Sequence, residues 1–348
     1  MPKARIILGH GSGGKLSHDL IESLFLPPFI NPILEACDDS AVFPLTDSDK
    51  ILQGQQLSKE EIAFTTDSYV VKPLFWPGGD IGKLAVCGTV NDLAMVGAIP
   101  LYLSAAFVIE EGLPISTLRR IVTSMKRAAK EAKVKIVAGD TKVVERGSAD
   151  GLFVNTAGVG MVSRGVRISG SNAQSGDMII LSGTIGDHGI AVLSEREGLV
   201  FSNSFKSDVA PLNHMVGAML RTSHKIHAMR DPTRGGLATT LNEIAQQSKV
   251  GIQIIEEQIP IREEVAAACE ILGYDPLYVA NEGKVVACVA PEDAERVLQV
   301  MRKTCYGHKA AIIGEVLPEP KARVVMKTRV GGTRIVDMLT GEMLPRIC

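Results

Sequence analysis

The sequence predicts two domains that mix strands with helices, α/β or α+β in class. Three observations support this. The 348 residues exceed what one hydrophobic core usually organises. Apolar periods of two and of 3.6 residues alternate along the chain, as strands and helices do. The stretch 169–177, SGSNAQSGD, has the composition of a linker, and the same alternation restarts after it. Domains are therefore expected over 1–170 and 171–340, followed by a tail over 341–348.

The elements follow in order. Residues 5–8 suit a short strand before a glycine loop. Residues 16–25 suit a helix, with Leu16, Leu20, Ile21 and Leu24 at helical spacing. Residues 63–71 read as a strand, 81–96 as a helix rich in small residues, and 101–109 as a strand. The clearest amphipathic helix covers 115–132, with Leu118, Ile121, Val122, Met125, Ala129 and Ala132 on one face. Strands are expected over 134–138 and 153–162. In the second half, 178–181 and 251–255 read as strands, and 239–247 and 262–272 as helices. Pro291 followed by Glu292 and Asp293 marks a helix start, since proline suits the first turn and acids suit the positive dipole end. Residues 46–61 fit no motif and read as a polar surface loop. Residues 341–348 contain Pro345 and little periodicity, and read as a flexible, extended tail.

Composition argues against some partners. With 37 Lys and Arg against 39 Asp and Glu, the formal net charge is -2, so nothing draws the chain generally to nucleic acid or an anionic membrane. The longest uncharged stretch, between Asp92 and Glu110, contains Gly97 and Pro100 and is too short to span a bilayer. The first residues do not read as a signal peptide, which makes the cytoplasm the expected compartment and disulfides unexpected. Cysteines 37, 87, 269, 288 and 305 lie in apolar or small-residue contexts that suit buried core thiols, and no pair has zinc-site spacing. Cys348 is the last residue, where a core role is hard to arrange because termini are usually exposed and mobile.

Residues 9–15, GHGSGGK, formally satisfy G-x-G-x-x-G through Gly9, Gly11 and Gly14, and also G-x-x-x-x-G-K. Leu16 stands where a P-loop needs Ser or Thr for magnesium, and Pro27, Pro28 and Pro32 interrupt the βαβ unit of a dinucleotide fold. A flexible glycine turn stays open. So does a different anion loop, in which glycine N–H groups approach phosphate oxygens.

Asp38, Asp39, Asp67, Asp92, Asp140 and Asp231 sit where strands end or turns begin, mostly beside small residues. Each alone suits a turn or a cap. Together they suit magnesium, which prefers hard oxygen ligands and shares its shell with water and nucleotide phosphates. Asp92, inside an apolar helix, would be costly to bury without a metal or a hydrogen-bond partner. Two further segments, GDTK at 139–142 and NEGK at 281–284, set a lysine near an acid, and a solvated loop would explain either.

The segments HGSGG, DDSAVF, FTTDSYVV, PLFWPGGDIGKLAVCGTVNDLAMVGAIP, GDTKVVERG, SGTIGDHG, RDPTRGG, NEGK and the terminal PRIC together resemble the hydrogenase maturation factor HypE family, from Gly9 to Cys348. The wider superfamily includes aminoimidazole ribonucleotide synthetase, selenophosphate synthetase and thiamine monophosphate kinase, which share an ATP site but not the terminal cysteine. The resemblance implies an α+β class: an N-terminal mixed sheet that closes a β-barrel with its copy in a homodimer, and a C-terminal domain with helices against a sheet. It implies ATP in a groove contacted by Gly11, Ser12, Gly13, Gly14, Asp39, Asp67, Asn91, Asp92, Asp140 and Asp231. Magnesium is implied on Asp39, Asp67, Asp92, Asp140 and Asp231. The implied partners are the carbamoyltransferase HypF, which loads the tail, and the HypC–HypD complex, which takes the cyanide for the iron of [NiFe] hydrogenase.

The implied chemistry is ATP-dependent dehydration of a carbamoyl group on Cys348 to a thiocyanate. Phosphorylation turns the amide oxygen into a leaving group. Glu282 is the expected base, and Lys142 the residue that orients it or stabilises charge. Arg346 is expected to offset the terminal carboxylate beside the thiol. Two rival readings remain. A selenophosphate synthetase-like enzyme would want Cys or selenocysteine near the first glycine loop, where this chain has Ser12. A non-catalytic scaffold for metallocentre assembly would use Cys348 as a ligand.

Overall fold

The computed structural model describes residues 5–44, 61–199, 206–339, 344 and 346–348. The surface loop expected at 46–61 falls almost wholly outside these residues. In chain order the first half contributes β1 (Ala41–Pro44), β2 (Glu61–Tyr69), the short pair β3 (Phe75–Trp76) and β4 (Gly79–Asp80), then β5 (Ala98–Glu110), β6 (Lys135–Val144) and β7 (Leu152–Val162). All but the short pair form one sheet in the order β1-β2-β7-β5-β6, with only β5 and β6 parallel. Strict alternation of burial along β7 shows that one face is covered. The short helices α1 (Lys15–Leu20) and α2 (Leu26–Phe29) come first in the chain, and the long helices α3 (Ile81–Met95) and α4 (Ile115–Ala132) cover that face.

The start of α3 follows from its sequence. Asp80 caps it, accepting from the backbone N–H of Gly82 at 2.8 Å and of Lys83 at 3.1 Å. The small residues of α3 permit close packing: a Cβ at Gly82 would stand 2.6 Å from the Ile121 carbonyl oxygen on α4. The opposite face of the sheet carries exposed Phe64, Ile99, Tyr102 and Val108, and the edge strand β6 exposes Ile136, Val137 and Val143. In a single copy the sheet is open; it does not close into a barrel.

The second half supplies β8 (Met178–Leu181), α5 (Asp187–Glu197), α6 (Asn213–Thr222), β9 (Ile226–Arg230), α7 (Gly236–Ser248), β10 (Gly251–Ile255), α8 (Glu263–Leu272), β11 (Val286–Val289), α9 (Pro291–Arg302), β12 (Ala311–Leu317), β13 (Arg323–Lys327) and β14 (Thr333–Val336). Its seven strands run in the order β14-β13-β10-β12-β8-β11-β9. Strand β8 is buried on both sides: Ile179 and Leu181 pack towards Leu237, Leu241 and Ile244 of α7, and Ile180 towards Met215, Met219, Val297 and Met301 of α6 and α9. That explains why its sequence is a continuous apolar run rather than an alternating one. The composition is α+β, as expected.

Most expected elements are present within a residue or two, but two expectations fail. Residues 5–7 form no strand, Ile6, Ile7 and Leu8 are exposed, and a 3₁₀ turn at Leu8–Gly11 follows. Two of the five cysteines read as core thiols, Cys37 and Cys305, are exposed; Cys87, Cys269 and Cys288 are buried. Among the described residues no helix is long and apolar enough to cross a membrane.

Candidate active site

Period-two geometry sets Thr65, Asp67 and Tyr69 on one face of β2. Gly88 and Asp92, one turn apart on α3, face them. A Cβ at Gly88 would meet the Tyr69 hydroxyl at 2.2 Å, so the glycine admits the ring. Thr65 donates to the Asp92 carboxylate at 2.9 Å, and Tyr69 to Asp67 at 3.0 Å. The loop leaving β9 brings Arg230, Asp231 and Arg234 against this face. Arg230 bridges Asp39 at 2.9 Å and Glu243 at 3.0 Å. Arg234 donates to the Gly11 carbonyl at 2.8 Å. Gly13 has φ +75, and a Cβ there would stand 2.7 Å from that of Arg234. The glycine loop is thus a close-packed turn held against the second half of the chain. Among the described residues no strand precedes it, which counts against both nucleotide-loop motifs.

These parts enclose a cavity of about 390 Å³ lined by Gly11, Gly13, Asp39, Asp67, Asp92, Arg230, Asp231, Arg234, Glu282 and Cys348, among others. Burial pushes Asp39 up to about 7, against the pull of Arg230. Asp92 and Asp231 are raised well above the carboxylate range, by burial first and then by the neighbouring aspartates. Glu282 is raised for the same reasons, with Arg234 opposing. The site therefore concentrates negative charge that asks for cations. Among the described residues no three His, Cys, Asp or Glu side chains converge closely enough to hold a metal ion alone. That arrangement fits a divalent ion whose remaining ligands are water and a bound anion.

Cys348 is buried in this cavity, 8% exposed, within hydrogen-bonding reach of Glu282. Burial pushes its thiol up and Arg234 pulls it down. Behind Glu282 a buried ion pair sets the backbone: Asp208 accepts from Lys284 at 2.8 Å and from the Glu282 N–H at 3.2 Å. A Cβ at Gly283 would strike the Asp208 carbonyl at 1.9 Å.

The structure thus brings together Gly11, Gly13, Asp39, Asp67, Asp92, Asp231, Glu282 and Cys348, and leaves others apart. Asp140 and Lys142 lie on the edge strand β6, pair with each other at 2.9 Å and are largely exposed. The strand runs on to Val144, so they project side by side from it rather than from a strand end into the cavity. Asn91 is turned about 100° from Asp92 on the helix. Its amide accepts from Leu212 N–H at 2.8 Å and donates to the Ala210 carbonyl at 3.1 Å, joining the two halves of the chain. Ser12 donates to the Gly9 carbonyl at 2.8 Å within its own turn. Gly14 starts α1, where a Cβ would meet the Leu339 carbonyl at 2.3 Å. Arg346 pairs with Asp150, so the cation facing the thiol is Arg234. The exposed terminal cysteine expected from its position is instead buried.

Arg230, Arg234, Tyr69 and Glu243 were not singled out individually from the sequence. The two arginines lie in RDPTRGG, where a turn arginine looks like any solvated cation.

The descriptions AIR synthase related protein, N-terminal domain, and AIR synthase related protein, C-terminal domain, match residues 37–162 and 174–327. The carbamoyl dehydratase HypE of Cupriavidus necator is 51% identical over 344 residues, covering 99% of this chain and 95% of its own. The chain belongs to the HypE family. A crystal structure of hydrogenase maturation protein HypE in complex with ATP is 48% identical, with a TM-score of 0.81 over 99% of this chain and 100% of that one. A crystal structure of a HypE–HypF complex contains a chain 51% identical, with a TM-score of 0.84 over 92% of this chain and 99% of that one. The HypE likeness therefore spans nearly the whole chain.

Proposed function

We propose that this chain uses ATP to dehydrate a carbamoyl group on Cys348, leaving a thiocyanate that supplies cyanide to the iron of [NiFe] hydrogenase. The observation that carries this reading is the position of the thiol: the last residue of the chain is buried in the same cavity as Glu282 and four aspartates. The ATP-bound and HypF-bound relatives support the nucleotide and the carbamoyl donor.

The thiocarbamate oxygen attacks the γ-phosphorus of ATP, ADP leaves, and one N–H proton passes to water, giving an O-phosphorylated imidate. Glu282 then takes the remaining N–H proton while phosphate departs with the former amide oxygen, and the carbon–nitrogen bond becomes triple. Asp39, Asp67, Asp92 and Asp231 would hold magnesium, which when bound neutralises phosphate charge. Arg234 faces the thiol and steadies charge there. Within the tail's own cavity the amide and phosphate meet as near-unimolecular reactants. HypF would load the thiol, and the HypC–HypD complex would receive the cyanide. A chemistry that needs a free thiol and ATP suits the cytoplasm.

A homodimer belongs to the same proposal. It would cover the exposed apolar face and the bare β6 edge by closing a barrel. Asp140 and Lys142 then act only in trans, from β6 of the second copy. A division of the chain after residue 170 falls between the two matched regions. Incubating the protein with a carbamoyl donor system and following ATP consumption against tail modification tests the reading: ATP use without Cys348 would sever the coupling. A scaffold reading finds less support, because the cavity sets the thiol beside Glu282 and Arg234, an acid–base pair of groups suited to chemistry at the tail.

A further inference from the structure

The residues just before the thiol are gripped by groups from separate parts of the fold. Arg346 donates from Nε to the Val70 carbonyl at 3.0 Å and pairs with Asp150. Lys72, which pairs with Asp150 at 3.1 Å, donates its backbone N–H to the Arg346 carbonyl at 3.2 Å. Arg196 of α5 donates to that same carbonyl at 2.7 Å and to the Lys72 carbonyl at 2.6 Å. One carbonyl further on, His188 bonds Ile347 at 2.8 Å through Nε2, while Nδ1 faces the Ser207 hydroxyl at 2.9 Å. A carbonyl only accepts, so Nε2 carries the proton and Nδ1 accepts from Ser207. Burial favours this neutral ring. Trp76 meets the ring edge-on at 5.5 Å between centroids and fixes its plane.

A free chain end would not choose one conformation. Here Arg346 holds φ +52, a left-handed value that non-glycine residues seldom adopt. Two consecutive carbonyls, of Arg346 and Ile347, are bound by two side chains of one helix, and the Arg346 side chain is held by an ion pair. Sliding the tail by one residue would break all of these at once.

We propose that Asp150, Arg196 and His188 form a clasp whose role is to position the Cys348 thiol beside Glu282 and whose opening releases the thiol to a partner. This rests on the reading that the thiol is loaded elsewhere and dehydrated here. The outer pair of the clasp lies at the surface, with Asp150 and Arg346 both about one-third exposed, whereas Ile347 and Cys348 pack into the core and must leave it when the clasp opens. Weakening it therefore has opposite effects on the two stages. Loading by the carbamoyl donor becomes faster, because the thiol is out more often, and dehydration becomes slower. A role confined to general stability would depress both.

The test is alkylation of Cys348 by iodoacetamide in the full-length protein, read by mass spectrometry of each cysteine peptide. Exposed Cys37 and Cys305 serve as internal references. Wild-type Cys348 should react more slowly than either. Arg346→Asp, which alters only the tail, should speed its alkylation about tenfold, as should Asp150→Arg, since a charge-assisted bond is lost in each. Combining the two restores opposite charges and should return the rate towards wild type. An unchanged rate in Arg346→Asp, or no recovery in a folded double variant, overturns the clasp. The measurement uses neither ATP nor a carbamoyl donor, so it stands whether or not the nitrile chemistry does.

Discussion

Glu282 works as a base only while ionised, and its surroundings oppose ionisation. Burial and the charges of Asp231, Asp208 and Asp67 hold its proton to a higher pH than an ordinary glutamate would. The dehydration step should therefore be slow in acid and accelerate as pH rises through that raised value. A single-turnover profile of nitrile formation from about pH 5 to about pH 8 checks the sign, and a flat profile speaks against Glu282 as the base. Glu282→Gln should accept the carbamoyl group and stop there. This residue was legible because NEGK sets an acid between apolar runs. Arg234 was not, because its value comes from a contact with Gly11, more than two hundred positions away in the chain. The burial of Cys348 was equally hidden: nothing local in PRIC tells of Val70, His188 or Arg196.

At the scale of elements, the facing of β2 and α3 follows from their periods, and the strand 63–71 and helix 81–96 were read nearly as they stand. Asp67→Ala and Asp92→Ala should keep the fold and abolish magnesium-dependent ATP turnover; hydrolysis at the parent rate in both would remove the magnesium assignment. Asn91→Ala should instead destabilise by about 1–3 kcal/mol, since it leaves the buried Leu212 N–H and Ala210 carbonyl without partners. Chemical denaturation measures that difference. The acidic cluster also makes stability depend on pH. Asp39 moves from 3.8 to about 7 on folding, so the folded state binds its proton more tightly. The resulting stabilisation is complete below 3.8 and is lost as pH rises through about 7. Calorimetry without nucleotide should show melting temperature falling over that window, and less steeply in Asp39→Asn. Where the sequence misled, local pattern lacked its partner: residues 5–8 have the composition of a strand but pair with none of the described strands, and the lysine of GDTK lies further along a strand that continues past it.

For the whole molecule, the proposed dimer would cover the open face of the five-stranded sheet and would let Lys142, which does not line the cavity of its own chain, act in trans. Sedimentation at micromolar concentration should give a dimer. Mixing refolded Lys142→Ala and Glu282→Gln copies, each inactive alone, should recover about a quarter of wild-type activity, because half the chains pair unlike and one site in each such pair is intact. No recovery would place Lys142 in cis or outside the chemistry. Two sheets and the acidic cavity were within reach of pattern and resemblance; the closing of the cavity by the last residues was not, since it depends on their contacts with Val70, Asp150, His188 and Arg196, all more than a hundred positions back in the chain. The chemistry stands or falls on that end. Mass spectrometry of the C-terminal peptide, after incubation with the carbamoyl donor system and then with ATP, should show a carbamoyl group gained on Cys348 and one water then lost. Cys348→Ala should show neither change while still binding ATP. Modification persisting in that variant, or mapping to Cys37 or Cys87, would contradict dehydration on the terminal cysteine.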